Sequence, residues 1–412
     1  MKNYVKALAA FVFVLAAMML VPVTSQAELK VPTGLKQTAA DRTGVKFSWD
    51  AVSGADGYYV AVSTDGEKYS LLDKAVFSPS STVLNLSAGQ SVYVKVIAVS
   101  ADEETEEIDM SDPSEALEVV TSPDAATMKV DCTERTLNTL TFTWNACAGA
   151  TSYVVYDYSN KQVLVTLPAT TTSYKREGLV PGSNYGIVVA PVRTSASGFA
   201  ASTNVSGLYD VYTNKSAPAK PSTSDFYVSI PSTSSKTANF LAVDVSRQAA
   251  GYEVEVYKVK GGKKVATLSA TNGLSTNSMS FSKNTPYKYR VRYYVVNNGQ
   301  NTYGEWSGYR YFYRQSVSGK KKWSTASKNA KVILKWSKVA GATGYTVSVS
   351  TSKNGKFKKV KTLGKNSKGF TITKIGKKKL QKNKSYYIKV EPKVKDGKTN
   401  VKNDTMSVYT AY

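Results

Sequence analysis

The 412-residue sequence contains no histidine and only two cysteines, Cys132 and Cys147. The absence of histidine excludes nucleophile activation by Ser-His-Asp or Cys-His groups and every metal site that uses a histidine ligand. Two cysteines cannot supply a disulfide framework, and if a hairpin turns near Arg135 the two thiols lie too far apart to bridge. Paired carboxylates or a Ser-Lys pair could still support catalysis. The sequence, however, shows no group of such residues that would come together in one active site. We therefore expect a protein that is not an enzyme and uses no cofactor or metal.

Long apolar runs are also scarce, and the only one lies near the start. Lys2 and Lys6 form a charged start before it, residues 7–21 form the run itself, and Ser25-Gln26-Ala27 follows as a small-residue cleavage site. This arrangement predicts a signal peptide over residues 1–27. The run is too short for an ordinary transmembrane helix. We expect an extracellular protein without a transmembrane segment, either secreted or associated non-covalently with a cell surface.

A motif of the form W-x4-G-A-x2-Y-x-V occurs three times. Trp144 lies 95 residues after Trp49, and Trp336 lies 192 residues after Trp144, about twice the first interval. A fourth copy therefore belongs in the longer interval, and it is found there with valine in the tryptophan position. The four copies are Trp49/Gly54/Ala55/Tyr58/Val60, Trp144/Gly149/Ala150/Tyr153/Val155, Val243/Ala249/Tyr252/Val254 and Trp336/Gly341/Ala342/Tyr345/Val347. A period of this length is one small domain, so the chain is predicted to be a series of related modules.

Short stretches of alternating apolar and polar residues recur in each module, whereas no window has a long helical period. Two-residue turn signals mark a hairpin at one place in every copy: Asp65-Gly66, Asn160-Lys161, Gly261-Gly262 and Asn354-Gly355. The pattern predicts an all-β chain of four tandem sandwiches over residues 28–121, 122–217, 218–317 and 318–412. Short linkers, two of them containing proline, predict separate cores in an elongated, semi-rigid rod.

These residues resemble fibronectin type III domains. A tyrosine follows each repeated tryptophan after nine residues, and a later L-x-P-G-x-x-Y corner occurs as Leu179 to Tyr185. Weaker corners end at Tyr287 and Tyr386, whereas Val92 replaces the tyrosine in the first module. The resemblance implies immunoglobulin-like sandwiches for adhesion, spacing or recognition, without an active site.

The last module has a second resemblance, carried by residues 336–345 and 352–359. These segments are similar to lysine-rich fibronectin type III-like repeats in secreted and surface proteins of Gram-positive, clostridia-like bacteria. That family implies no chemistry that can be carried over to individual residues.

Acidic residues are almost absent from the last module, and the net charge is graded along the chain. The four modules carry net charges of −9, +1, +8 and +22 in chain order, and all 25 basic residues of the last are lysines. Lysine is a hydrated point charge suited to diffuse attraction, whereas arginine suits bidentate recognition. The partner favoured by this composition is a repetitive polyanion, such as an anionic cell-wall polymer, an anionic membrane surface or an acidic glycan.

The candidate polyanion-binding residues are Lys358, Lys359, Lys377, Lys378, Lys379, Lys382 and Lys384. The alternative is that these lysines only solubilise the surface. Nucleic acid is disfavoured as a partner, because secretion removes the usual target and no arginine or aromatic stripe interleaves the lysines.

The third module has the most aromatic residues. Strand alternation places Arg290 and Arg292 on one face, and Trp306 precedes the last strand, so its ring is predicted to lie across both guanidinium groups. This group is either a structural ladder or a contact face for a glycan or protein. The acidic run at residues 102–109 is interpreted as a solvated loop, with weak divalent binding and head-to-tail contact with a lysine-rich module as alternatives.

Together these features favour a secreted, non-enzymatic, surface-associated adhesion or scaffold protein whose basic module tethers it to an anionic polymer or surface. The partner of the acidic N-terminal end, protein or carbohydrate, is not indicated. The alternative function is carbohydrate recognition through Arg290, Arg292 and Trp306.

Overall fold

A computed structural model describes residues 29–101, 108–202, 204–232, 235–242, 248–271, 277–326, 328–405 and 409–411. The predicted signal peptide, Val243 of the repeat and residues 102–107 of the acidic run lie outside these ranges. The described chain is all-β apart from one short 3₁₀ helix, Ala125–Thr127. It forms two compact units, Met1–Asn214 and Lys215–Tyr412, each with two sandwich modules. None of the helical residues described is part of a segment long and apolar enough to cross a membrane.

The first module packs a three-stranded sheet, in the order β1-β2-β5, against a second sheet in the order β4-β3-β6. Two short strands, β7 and β8, both pair with β6 and together act as a divided last strand. The strands are β1 (Lys36–Ala40), β2 (Val45–Ser48), β3 (Gly57–Ser63), β4 (Ser70–Leu71), β5 (Ser80–Val83), β6 (Ser91–Ala101), β7 (Ile108–Met110) and β8 (Leu117–Val120). This is the strand order of a fibronectin type III domain.

The second module repeats the arrangement, with sheets ordered β9-β10-β13 and β12-β11-β14 and with β15 and β16 both paired to β14. Its strands are β9 (Val130–Arg135), β10 (Leu140–Trp144), β11 (Ser152–Asp157), β12 (Val163–Pro168), β13 (Ser173–Arg176), β14 (Asn184–Thr194), β15 (Ala200–Ala201) and β16 (Ser206–Tyr212). The hairpin between β9 and β10 confirms the turn predicted near Arg135. Both cysteines are free: the Cys132 thiol lies 3.4 Å from the Glu134 carbonyl and the Cys147 thiol 3.2 Å from the Asp124 carbonyl.

The third module has sheets ordered β17-β18-β21 and β20-β19-β22, with β23 and β24 paired to β22. Its strands are β17 (Phe226–Ser229), β18 (Thr237–Ala242), β19 (Gly251–Lys258), β20 (Lys264–Thr271), β21 (Asn277–Ser280), β22 (Tyr287–Asn297), β23 (Gln300–Tyr303) and β24 (Arg310–Phe312). The described part of the third module's core contains no tryptophan; there Phe240 contacts Tyr289 and Phe312 edge-on at ring-centroid distances of 5.2 and 5.6 Å. A cluster of smaller aromatic rings therefore fills this core.

The fourth module has sheets containing β25-β26-β31-β30, with β29 beside β26, and β28-β27-β32-β35, followed by a small β33-β34 hairpin. The strands are β25 (Val317–Trp323), β26 (Asn329–Trp336), β27 (Gly344–Ser350), β28 (Lys358–Gly364), β29 (Gly369–Ile372), β30 (Lys374–Ile375), β31 (Lys378–Gln381), β32 (Tyr386–Lys393), β33 (Lys395–Asp396), β34 (Thr399–Asn400) and β35 (Tyr409–Ala411). The predicted all-β fold of four sandwiches is confirmed.

The repeated tryptophans lie in the cores, each with 5% of its surface exposed. Their partners are the tyrosines nine residues later, at ring-centroid distances of 5.2 Å for Trp49–Tyr58, 5.6 Å for Trp144–Tyr153 and 5.6 Å for Trp336–Tyr345. Each tyrosine hydroxyl accepts a hydrogen bond from the backbone N–H six residues earlier, at Val52, Cys147 and Val339. The glycine of the motif has a left-handed φ, 84° at Gly54 and 76° at Gly149 and Gly341, which favours glycine.

The tyrosine corners also form. Tyr185, Tyr287 and Tyr386 each accept a hydrogen bond from the backbone N–H five residues earlier, at 2.9, 3.1 and 2.8 Å. Val92, which has no hydroxyl, is fully buried in the first module. The sequence pattern therefore predicted which modules have this bond.

The third and fourth modules have separate buried clusters, as expected, but two residues of the third module join the cluster of the fourth. Val259 and Tyr311 of the third module belong to the buried cluster that forms the fourth module's core. The backbone N–H of Asp404 donates to the Tyr311 carbonyl at 2.9 Å, and Asn403 exchanges two hydrogen bonds with the Tyr313 backbone. Because the linker is short, the end of β24 is close enough to the fourth module to be buried by it.

Candidate functional site

A groove on the fourth module brings most of the predicted polyanion-binding lysines together. It has a volume of about 860 Å³, and no carboxylate lines it. Its cationic residues are Lys356, Lys358, Lys377, Lys378, Lys379 and Lys384. The remaining lining is polar or apolar: Asn329, Val349, Ser350, Thr351, Ile375, Gly376, Leu380, Gln381 and Tyr386. The groove is thus a concave surface with charge of one sign.

Two hairpins position these lysines. The hairpin of β30 and β31 turns at Gly376, whose φ of 59° is left-handed, and it carries the run of lysines from Lys377 to Lys379. Leu380 is buried and pairs with Ala330 on β26, which holds β31 to the core. The hairpin of β27 and β28 supplies Lys356 and Lys358 from its loop end, and Lys384 lies in the loop between β31 and β32. Buried strand residues therefore fix the backbone while the ammonium groups stay in solvent.

The base of the groove is held by the tyrosine corner. The Tyr386 hydroxyl accepts the backbone N–H of Gln381 at 2.8 Å. Lys321 on β25 donates to the carbonyl oxygen of Lys384 at 2.8 Å, and its ammonium group lies 5.9 Å from the Tyr386 ring centroid. Burial lowers the pKa of Lys321. Lys321 therefore supports the loop that presents Lys384.

Five of the seven lysines predicted from the sequence line the groove, namely Lys358, Lys377, Lys378, Lys379 and Lys384. Lys359 and Lys382 do not line it. Lys359 follows Lys358 on β28, and adjacent strand residues point to opposite faces. Lys356 was not predicted. Its position directly after the Asn354-Gly355 turn signal, at the same loop end as Lys358, was the signal that could have identified it.

The lysines of the fourth module are uncompensated. Within the described parts of the chain, none of them forms a salt bridge. Two of the module's three carboxylates instead pair with the third module. Asp396 lies 2.9 Å from the Lys288 ammonium group, and Asp404 lies 2.7 Å from Nε of Arg310. Two of the three anions that could have neutralised the lysines are thus engaged elsewhere.

The third-module residues Arg290, Arg292 and Trp306 also come together, as predicted. The Trp306 ring lies 4.5 Å from the Arg290 guanidinium carbon and 4.4 Å from that of Arg292. Tyr303 covers Arg292 at 3.8 Å. These are stacking distances at which a cation and an aromatic ring attract each other.

Two carboxylates that the sequence analysis missed complete this ladder. Glu253 and Glu255 on β19 lie opposite Arg292 and Arg290 on β22, at 2.8 and 2.6 Å. The alternation of the two glutamates with valine, facing a strand with alternating arginines, was the available signal. Although burial raises it, hydrogen bonds from Tyr257, Arg290 and Lys264 lower the pKa of Glu255 to about 2. Since each arginine already has a carboxylate partner and an aromatic partner, these contacts favour the structural-ladder interpretation over a contact face.

No constellation that could hold a metal occurs among the described residues, where no three His, Cys, Asp or Glu side chains cluster suitably. Of the acidic run, only its last two residues, Ile108 and Asp109, are described. They lie in β7, paired with β6.

No protein-family model matches the sequence. Among solved structures, the crystal structure of chicken CNTN1 FN1-FN3 domains is similar at 18% sequence identity and a TM-score of 0.29, over 69% of this chain and 99% of that one. The strand order and the tyrosine corners are the features that make the modules fibronectin type III-like.

Proposed function

We propose that this chain is a secreted, non-enzymatic adhesion or scaffold protein, and that its fourth module tethers it to an anionic polymer at a bacterial surface. The observation that carries the proposal is the lysine-lined groove, which gathers six ammonium groups in one concavity without a carboxylate. The resemblance of this module to lysine-rich repeats of Gram-positive, clostridia-like bacteria supports an anionic wall polymer or acidic glycan as the partner.

The chemistry of the groove suits a repetitive polyanion better than a small anion. The lysines are exposed and carried on long flexible side chains, so they do not form a shaped pocket around one group. At ~0.15 M ionic strength the screening length is about 8 Å, and each contact acts only over a short range. Affinity must therefore come from several simultaneous contacts along a chain, and it should fall steeply as salt is added.

The test compares two variants with the same net charge. In the first, Lys377, Lys378 and Lys379 in the groove are changed to glutamate. In the second, Lys361, Lys365 and Lys368, which are exposed but outside the groove, are changed to glutamate. Binding of the mature chain is measured to immobilised polyphosphate, to polygalacturonate and to neutral dextran, from about 0.05 to 1 M salt.

We expect binding to both polyanions and not to dextran. The groove variant should bind at least about tenfold more weakly, and the matched variant less than about threefold more weakly. Equal losses in the two variants would mean that summed charge, and not the groove, attracts the polymer. Absence of polyanion binding at low salt would favour a purely solubilising role for the lysines. Binding that persists undiminished in molar salt would also contradict the proposal.

A further inference from the structure

The second module has two exposed tyrosines that stack on each other. Tyr158, at the end of β11, has 42% of its surface exposed, and Tyr209 on β16 has 56%. Their ring centroids are 4.9 Å apart with an interplanar angle of 21°. The ammonium group of Lys161 lies 4.3 Å from the Tyr158 ring centroid and covers that ring. Tyr209 is thus an aromatic ring supported by neighbours and open to solvent.

A β-bulge brings these rings together. In the pairing of β14 with β16, Tyr185 lies opposite Val211 and Ile187 opposite Leu208, so Gly186 faces both Tyr209 and Asp210. Asp210 adopts a left-handed φ of 61°. Bulges and residues in such strained conformations occur preferentially at functional sites, where they redirect a side chain.

Gly186 provides the space for the stack. A Cβ atom at this position would lie 2.9 Å from the Tyr209 Cα atom and 3.0 Å from the Tyr158 Cβ atom. Either distance is shorter than normal contact, and one of the atoms is backbone, so any larger residue would push the two tyrosines away. The bulge on β16 and Gly186 on β14 are therefore both needed for the stacking of the two tyrosine rings.

Polar side chains surround the stack and share a cavity of about 410 Å³ with it. Asn184 donates to the Asp210 carboxylate at 2.8 Å at the exposed rim. Deeper in the cavity, Asp157 pairs with Arg176 at 2.5 Å and accepts the backbone N–H of Ser159 at 2.7 Å. An aromatic platform beside a few fixed donors and acceptors is typical of a small-molecule site.

We propose that this cavity, defined by Tyr158, Tyr209, Asn184 and Asp210, binds a neutral saccharide. A sugar ring presents a face of C–H groups, which suits the electron-rich face of Tyr209. Its hydroxyl groups both donate and accept, so they match the amide of Asn184 and the carboxylate of Asp210. An anionic ligand fits less well, because two carboxylates line the cavity and its arginine is already paired with one of them.

The test measures binding of the mature chain to soluble cellotetraose, maltotetraose, xylotetraose and chitotetraose by isothermal titration calorimetry. We expect at least one tetrasaccharide to bind, and Tyr209→Ala to weaken that binding at least tenfold. Tyr227→Ala removes a comparably exposed tyrosine from β17 of another module and should leave binding unchanged.

Further variants distinguish an effect of the Tyr209 ring on binding from an effect of a changed bulge structure. Tyr209→Phe keeps the stacked ring and should retain binding within about threefold, whereas Asp210→Asn removes the charge and should change affinity while the melting temperature stays the same. The proposal is overturned if none of the four tetrasaccharides binds. It is equally overturned if Tyr209→Ala, with an unchanged melting temperature, binds as tightly as the parent chain. Since none of these variants touches the lysine groove, the outcome is independent of polyanion binding.

Discussion

The third and fourth modules are both basic, yet they use their cations in different ways. On the third module, Arg290, Arg292 and Arg310 each lie against a carboxylate, and Trp306 covers the first two. On the fourth module, the described lysines have no carboxylate partner. The difference shows that net charge does not identify a binding surface. What matters is whether the folded chain brings its own anions to its cations.

This contrast also separates stability from binding. Cations that are paired with carboxylates stabilise their own module, and their charge is largely neutralised before a ligand arrives. Unpaired, solvated cations contribute little to folding, and their attraction remains available to a partner. Substitutions in the two modules should therefore have opposite consequences, large for stability in one and large for binding in the other.

The largest expected effect is at the junction of the two modules. Asp404 accepts hydrogen bonds from Arg310 at 2.7 Å and from the Tyr289 hydroxyl at 3.0 Å. Asp404→Ala removes the carboxylate acceptor from both donors, which are mostly buried. It should lower the free energy of unfolding by about 3 kcal/mol. Calorimetric unfolding of residues 28–412 should show one lowered transition for both modules, because Val259 and Tyr311 of the third module are buried in the core of the fourth. Glu305→Ala, at an exposed carboxylate, is the control. Two separate transitions, with only one lowered, would contradict this coupling of the two modules.

The next effect concerns the ladder and its dependence on pH. Glu255→Gln weakens the contacts with Arg290, Lys264 and Tyr257. It should lower the free energy of unfolding by about 2 kcal/mol at neutral pH. The folded-state pKa of Glu255, about 2, is below its ordinary value of 4.5. The stabilisation is therefore complete above pH 4.5 and is lost as the pH falls towards 2. In denaturation curves over this range, the variant should lose less stability than the parent chain. Parallel pH profiles would show that Glu255 is not held in its charged form.

A smaller effect is expected for the ring that covers the ladder. Trp306→Ala removes stacking on two guanidinium groups and should lower the free energy of unfolding by about 1 kcal/mol. Trp323→Ala removes a half-exposed tryptophan whose ring lies 5.7 Å from the Lys321 ammonium group, and it should lower the free energy of unfolding by less. Differential scanning calorimetry compares the two variants. A Trp306→Ala chain with unchanged melting temperature but altered ligand binding would restore the interpretation of this face as a contact surface.

The smallest effect is expected in the groove. Lys379→Gln removes a solvated, unpaired charge and should change the free energy of unfolding by less than about 0.5 kcal/mol. Lys288→Gln, which breaks the pair with Asp396, should cost more. Chemical denaturation of both variants measures the difference. If Lys379→Gln proved clearly destabilising, the groove lysine would have an internal partner and the contrast between the modules would fail.

Much of the fold could be predicted from the sequence because its signals are local. The W-x4-G-A-x2-Y motif places a core ring, a left-handed turn and a hydroxyl acceptor within ten residues, and all three roles appear at Trp49, Gly54 and Tyr58. The corner at Tyr185 is equally local. The stacking of Trp306 on two arginines was also predictable, since alternation along β22 puts both guanidinium groups on one face.

The sites were less predictable because their members are distant in sequence. Lys356 and Lys377 meet only after two hairpins from different sheets have packed. The partnership of Glu255 with Arg290 depends on the register of β19 against β22, and a shift of one residue would send the glutamate to the other face. Tyr158 and Tyr209 stack only because a bulge opposite Gly186 redirects β16.

The sequence by itself determined the four modules, their hairpin turns and the excess of lysine in the last one, because each depends on residues a few positions apart or on composition alone. The tertiary structure decided which charges are neutralised and which stay free. Asp396 and Asp404 are far closer in sequence to the groove lysines than to Lys288 and Arg310, yet they pair with the latter. Packing of β33–β34 and the following loop against the third module brings those groups within hydrogen-bond distance, and electrostatic pairing follows distance in space.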